Sequence, residues 1–162
     1  MMQSKNSRGF TLIELMVTLA VAIIILAVAV PSFRSTTHST RMTAQVNAFA
    51  SFLMLARAEA VKRQRNITVA SVAGAGSNEW GGGAQMRDAS DVIATLDAFN
   101  GNITMDSDAG VTAITFIPRG YASPAVAGNF NVCETGSNED GRQFMITATG
   151  KVILITRSFP CS

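Results

Sequence analysis

Residues 8–30 read RGFTLIELMVTLAVAIIILAVAV, and the architecture follows from this stretch. From Phe10 to Val30, 18 of 21 residues are apolar; the exceptions are Thr11, Glu14 and Thr18. At about 1.5 Å of rise per residue, a helix of that length is about 30 Å long, the thickness of a bilayer core. It is long enough to span. The preceding MMQSKNSRG holds Lys5 and Arg8 and no acid. The positive-inside bias therefore keeps the N-terminus cytoplasmic and sends everything after Val30 to the other side.

A secretory signal peptide also begins with basic residues, but its apolar run spans about 7–15 residues and ends at a small-residue cleavage site. Here the run is longer, and Pro31, Ser32 and Phe33 supply no such site. A plain single-pass anchor is the other reading, and Glu14 argues against it. A carboxylate within a span costs on the order of 2.5–3.5 kcal/mol near the centre, less near the end, and normally marks a function. No basic side chain lies within the span to pair with it. Its partner must come from another chain or from a newly made N-terminal amine.

Gly9-Phe10-Thr11-Leu12-Ile13-Glu14-Leu15, behind a short basic leader, resembles the class III signal sequence of type IV pilins and of the pseudopilins of type II secretion. The resemblance implies that a prepilin peptidase cuts between Gly9 and Phe10 and methylates the new N-terminal Phe10. It also implies that Glu14 is the acid used when a subunit docks into a growing filament. The α-amine of Phe10 in one subunit would then meet Glu14 of its neighbour, which supplies the partner that the span lacks.

The 162 residues leave about 130 beyond the membrane, enough for one modest domain with its own core. Hydrophobic content of 48% is inflated by the anchor. The formal charge of +2 also misleads: of 13 basic residues, Lys5 and Arg8 leave with the leader, so the mature chain balances 11 basic against 11 acidic side chains. A general attraction to nucleic acid is excluded on that balance, and only a local basic patch would support one. Cys133 and Cys161 both fall in the exported part, where an oxidising compartment lets them pair; two free buried thiols is the alternative. Neither belongs to a C-x-x-C, so a redox or zinc motif is not supported.

Pro31 sits where the apolar run ends, and a bend is expected there. Beyond it, Met42, Val46, Phe49, Leu53, Ala56 and Ala60 recur at spacings of 4, 3, 4, 3 and 4, one face of a helix. Phe52 and Leu55 are expected to widen that stripe, and Arg41, Gln45, Arg57 and Lys62 to face solvent. After Arg65 short β-prone runs take over: 66–72, 113–118, 129–133, 142–147 and 151–156 are predicted strands. Residues 91–100 fit a strand or a helical turn equally. The last two runs flank Ala148-Thr149-Gly150 and predict an antiparallel hairpin. The fold class is α+β and pilin-like: a long N-terminal helix, membrane-spanning in its first half, packed on an antiparallel β-sheet domain. The expected organisation is a leader at 1–9, a transmembrane helix at 10–33, its amphipathic continuation at 34–64 and a periplasmic β-rich domain at 65–162.

The segment FLMLARAEAVKRQRNITVASV, followed by NEWGGGAQM, ITFIPRG, NFNVC and GRQFMITATGKVILI, resembles the GspH/FimT family of minor pilins and minor pseudopilins. Agreement covers nearly the whole chain and is weakest between residues 86 and 110. The family implies a low-abundance subunit that helps start a filament near its tip. Implied partners are other minor and major pilins, the prepilin peptidase and an inner-membrane assembly platform.

Catalysis has little to draw on. His38 is the single histidine and lies in the polar stretch past the membrane, with no Cys or Asp arranged as a triad needs, so an enzyme is rejected and no cofactor or metal is expected. Asp106-Ser107-Asp108-Ala109-Gly110 lacks the third acid and the closing glutamate of a calcium loop and is expected to be a turn. The glycines at 74, 76, 81, 82 and 83 lack the following G-K-S/T of a phosphate loop.

Two basic sets remain as contacts for an acidic partner, DNA included: Arg57, Lys62, Arg63 and Arg65 at the helix end, and Arg142, Lys151 and Arg157 near the C-terminus, with Arg119 nearby. Cations also suit the negative pole of a helix C-terminus, and that is the preferred account of the first set. Some members of the family resemble DNA receptors for natural transformation and carry glycine-arginine-x-arginine in the last hairpin. Here those positions are Gly150-Lys151-Val152-Ile153, which removes the arginine fork. The reading is thus a minor pilin of a type IV pilus in the inner membrane, with a type II secretion pseudopilin and a DNA receptor as alternatives.

Overall fold

The computed structural model describes residues 10–72, 79–89, 91–123, 128–135, 140–147, 149 and 151–161, with backbone alone at 31, 32, 34, 35, 123 and 156–160. The chain forms two compact units, Met1–His38 and Ser39–Ser162. Helix α1, Leu12–Arg63, belongs to both.

In the first unit every described side chain from Phe10 to Val30 is exposed, and Leu12–Val30 has the length and composition of a membrane span. An apolar surface this continuous, with no protein over it, marks a membrane or a partner. The helix assignment continues through Pro31, so the proline does not end the helix.

In the second unit the 4-3-4-3-4 seam is the inner face of α1: Met42, Val46, Phe49, Leu53, Ala56 and Ala60 are all buried. Phe52 joins them, whereas Leu55 is 48% exposed and does not widen the stripe. At 3.6 residues per turn it sits about 200° round the axis from Leu53, on the opposite face. Arg41 and Lys62 face solvent as expected, while Gln45 and Arg57 are half-buried. Basic Lys62 and Arg63 close the helix, and Gln64 at φ 55 turns the chain out of it.

Nine strands follow among the described residues: β1 Ile67–Ser71, β2 Ala84–Asp88, β3 Asp91–Leu96, β4 Ile103–Ser107, β5 Ala113–Phe116, β6 Ala122–Ser123, β7 Asn129–Glu134, β8 Asp140–Ile146 and β9 Val152–Pro160. They form two antiparallel sheets rather than one, ordered β3-β2-β1-β5-β6 and β4-β7-β8-β9. Residues 91–96 resolve as strand, and β8 and β9 form the predicted hairpin. The Gly150 turn position lies outside the described residues. Strands β2, β4 and β6 are additions; AQMRD holds no β-branched residue, and ITMDS runs into Met-Asp-Ser after its first two residues.

Period-two alternation aims one face of each sheet inward: Ile67 and Val69, Ile114 and Phe116 from the first, Ile103 and Met105, Phe130 and Val132, Phe144 and Ile146 from the second. These join the inner seam of α1 and Trp80 in one core. Phe49 is at its centre, with ring centroids 5.5 Å from Trp80, 6.1 Å from Phe130 and 5.8 Å from Phe144.

Candidate functional site

Thr11 is the N-cap of α1. Its Oγ1 accepts the Glu14 N–H at 3.3 Å, and its carbonyl accepts the Leu15 N–H at 3.2 Å, the first turn of the helix. Thr-x-x-Glu is the capping-box spacing, in which the threonine satisfies one of the orphan amides that every helix N-terminus presents. This role of Thr11 was legible in the sequence but overshadowed by the charge of Glu14. The carboxylate of Glu14 is exposed and, among the described residues, has no partner within the chain. Phe10 is 79% exposed beside it, and Gly9 lies outside the described residues. An acid at the positive end of a helix is well placed electrostatically, and a cationic amine at the same end of a neighbouring helix would neutralise it.

The basic residues of the helix end do not gather into one patch. Glu59 takes both Arg63, at 2.5 Å, and Lys62, at 3.6 Å, and the hydrogen bond from Arg63 holds its carboxyl below the ordinary range. Arg65 lies 3.9 Å from Asp88. Arg57 packs over the β5–β6 turn at Gly120, whose φ of 78° suits glycine and where an added Cβ would come within 3.2 Å of Arg57 Nε.

In the second basic set, Arg142 occupies a break in register between β8 and β9, and its Nη2 donates to Ser39 Oγ at 2.7 Å. A bulge re-aims a side chain, here toward α1. Lys151 is exposed at the other end of β8, where its backbone N–H donates to Thr147 Oγ1 at 3.1 Å. The side chain of Arg157 lies outside the described residues. The structure therefore separates Arg142 from Lys151 instead of pairing them.

Asp106–Gly110 ends β4 in a turn. Asp108 accepts the Asn129 N–H at 2.7 Å and its amide at 3.0 Å, and Ser107 Oγ accepts the Val111 N–H at 3.2 Å. The two sheets are joined by a clasp that the sequence reading passed over, Glu79-Trp80-Gly81. The Glu79 carboxylate accepts the N–H groups of Gly81 and of Met105, the latter at 3.1 Å. Ser71 Oγ donates to the Glu79 carbonyl, and Trp80 N donates to Met105 O at 2.6 Å. The fully buried indole donates to Val111 O at 2.8 Å. Burial pushes the Glu79 carboxyl up, and the neighbouring Asp106 adds to the shift. The N-E-W-G-G-G string was the signal for this clasp.

The family model described as Type II transport protein GspH matches residues 45–150, and the prokaryotic N-terminal methylation motif matches residues 4–30. No curated protein matches the chain. Among solved structures it is similar to the type IV minor pilin FimU of Pseudomonas aeruginosa. In one crystal form the identity is 21% and the TM-score 0.66, over 76% of this chain and 96% of that one. In a second form the figures are 23% and 0.59, over 71% and 96%. At these identities the likeness is one of fold.

Proposed function

The chain belongs to the GspH family of pilin-like proteins and carries its N-terminal methylation motif, and from that premise we propose a minor pilin of a type IV pilus, built in at or near the tip to help initiate assembly. A prepilin peptidase removes residues 1–9 and methylates Phe10. Residues 10–33 cross the inner membrane, 34–64 continue the helix and 65–162 form the periplasmic domain. The partners are other minor and major pilins and the assembly platform.

One observation carries this reading: Glu14 sits near the start of a span whose exposed surface is almost wholly apolar, and among the described residues no group of its own chain neutralises it. A single-pass anchor gains nothing from such an acid, whose burial is unfavourable. A subunit that docks beside another does, because the methylated amine of Phe10 on one helix and Glu14 on the next form an ion pair as the helix enters the bundle. Replacing Glu14 by alanine should leave cleavage at Gly9 intact while filament number and incorporation fall. Unchanged incorporation would remove the docking role.

The second reading, a minor pseudopilin of type II secretion, is favoured by the description of the matching family, while the FimU fold favours the pilus. Co-purification separates them, by pilus subunits on one side or secretion subunits on the other. A DNA receptor is the least supported reading, since Arg142 is engaged with Ser39 and Ile153 stands where an arginine fork needs its second member.

A further inference from the structure

Asn100-Gly101 is the single asparagine-glycine pair in the chain. It lies within segment 97–102, which joins β3 to β4. Backbone bonds hold this segment on either side of the pair. The buried Phe99 donates its N–H to Gly81 O at 2.8 Å, and Asn102 O accepts the Thr135 N–H at 2.7 Å. Between these anchors Asn100 and Gly101 are both exposed. Among the described residues, neither the Asn100 amide nor the Gly101 N–H is hydrogen-bonded.

Gly101 has φ 82°, a region that glycine enters without steric cost. Among the described residues, a Cβ built on it would meet Arg41 Nη1 alone, at 3.6 Å. The guanidinium of Arg41 therefore lies against this segment from α1, one residue ahead of the buried Met42. Arg41 is exposed, and among the described residues no acid pairs with it. An exposed amide, a following N–H with no Cβ to shield it and an unpaired cation thus meet at one point.

We propose that Asn100 is a modification site at which the folded chain deamidates itself, with Arg41 assisting. The Gly101 nitrogen attacks Cγ of Asn100. A C–N bond forms, the bond from Cγ to the amide nitrogen breaks, and ammonia leaves with the proton that Gly101 gives up. Water then opens the cyclic imide at one of its two carbonyls, giving aspartate or, with the main chain rerouted through Cβ, isoaspartate. No electrons are exchanged, and water is the one co-reactant. The sequence pair makes the reaction possible, and Arg41 is what the fold adds. Its guanidinium stabilises the negative charge that develops on the Asn100 side-chain oxygen, as prearranged donors stabilise oxyanions elsewhere. The product carboxylate then pairs with it. A positive point on the surface becomes neutral, and the mature balance of 11 basic and 11 acidic side chains becomes 11 against 12. The site needs no partner chain and does not depend on the filament reading.

The test incubates the full chain at neutral pH, folded in detergent or unfolded in guanidinium chloride, and follows the tryptic peptide 88–119 by mass spectrometry. Electron-transfer fragmentation separates aspartate from isoaspartate and Asn100 from Asn102. In the folded chain both products should appear at Asn100, with conversion at least about tenfold slower at Asn102, where the β-branched Ile103 follows. Asn100→Gln, whose longer arm must close a larger ring, should slow conversion at that position by about tenfold or more. Arg41→Gln should slow it about threefold in the folded chain, as the loss of an exposed charge interaction does, and leave the rate in guanidinium chloride unchanged. Both substitutions fall at exposed positions, so the fold is retained, which thermal melts check. Equal rates at Asn100 and Asn102 would overturn the proposal. So would a folded parent that converts no faster than its Arg41→Gln variant, which would leave only the chemistry of any unfolded asparagine-glycine pair.

Discussion

The Glu79 carboxylate accepts the backbone N–H of Met105 at 3.1 Å, so a side chain from the loop after β1 holds the edge strand of the other sheet. The same oxygen accepts the Gly81 N–H, and Asp106 acts on the carboxyl through its charge and a side-chain hydrogen bond. Two amides favour the charged form, while burial and Asp106 favour the protonated one, and the second pair wins.

The folded pKa of Glu79 is thus raised above its ordinary value of 4.5. Such a group stabilises the fold fully below that ordinary value, and the contribution is lost as pH rises through the folded pKa. Glu79→Gln retains an acceptor for both amides and gains a donor toward Asp106. It should melt at least as high as the parent near neutral pH and show a flatter rise in melting temperature as pH falls toward 5. Thermal melts of the chain in detergent between pH 5 and 8 decide this. A variant that melts lower at neutral pH with the parent's pH slope would show that folding does not raise the pKa of Glu79.

Gly81→Ala tests the backbone approach within the clasp. An added Cβ would lie 2.8 Å from Ile103 O and 3.2 Å from Met105 N, both backbone atoms that cannot swing aside. Overpacking of this kind costs about 1–3 kcal/mol, read by denaturant titration. A neutral result would mean that the clasp is looser than its hydrogen bonds indicate.

Leu53 and Leu55 form an internal pair of controls for the faces of α1. Leu53 is fully buried, so Leu53→Ala should cost about 2–5 kcal/mol. Leu55→Ala, at 48% exposure, should fall within about 0.5 kcal/mol of the parent, as surface substitutions do. Equal losses would mean that the two faces are misassigned.

Reduction of Cys133–Cys161 opens a loop with a sequence separation of 28. By the chain-entropy account the bond contributes about 3–4 kcal/mol, so reduced chain should unfold at clearly lower denaturant concentration, with proteolysis beginning at the C-terminal strand. Coincident curves for oxidised and reduced chain would assign the disulfide no part in stability.

The helical half of the fold was legible because its signals are periodic: a 21-residue apolar run and a 4-3-4-3-4 seam each specify one surface. Leu55 escaped because apolarity alone does not reveal which face a residue takes. The division into two sheets was hidden because β2 draws its inward residues from Ala84 and Met86, and β4 follows its inward Ile103 with Met105 and Ser107, residues that do not mark a strand. At the candidate site, Glu14 was read from one misplaced charge, which needs no tertiary information, and Phe10 from the resemblance of residues 9–15 to the class III signal sequence. The partners of the basic residues were not legible: Arg142 meets Ser39 across 103 positions, a distance that no local spacing encodes.

Mass spectrometry of the chain recovered from sheared filaments tests the central claim most directly. The account predicts a mature N-terminus at Phe10 bearing one added methyl group, with residues 1–9 absent, and loss of the Glu14→Ala chain from filaments although it is still processed in the membrane. A chain that retains Gly9 and its leader, or a Glu14→Ala chain present in filaments at the parent's level, would contradict it.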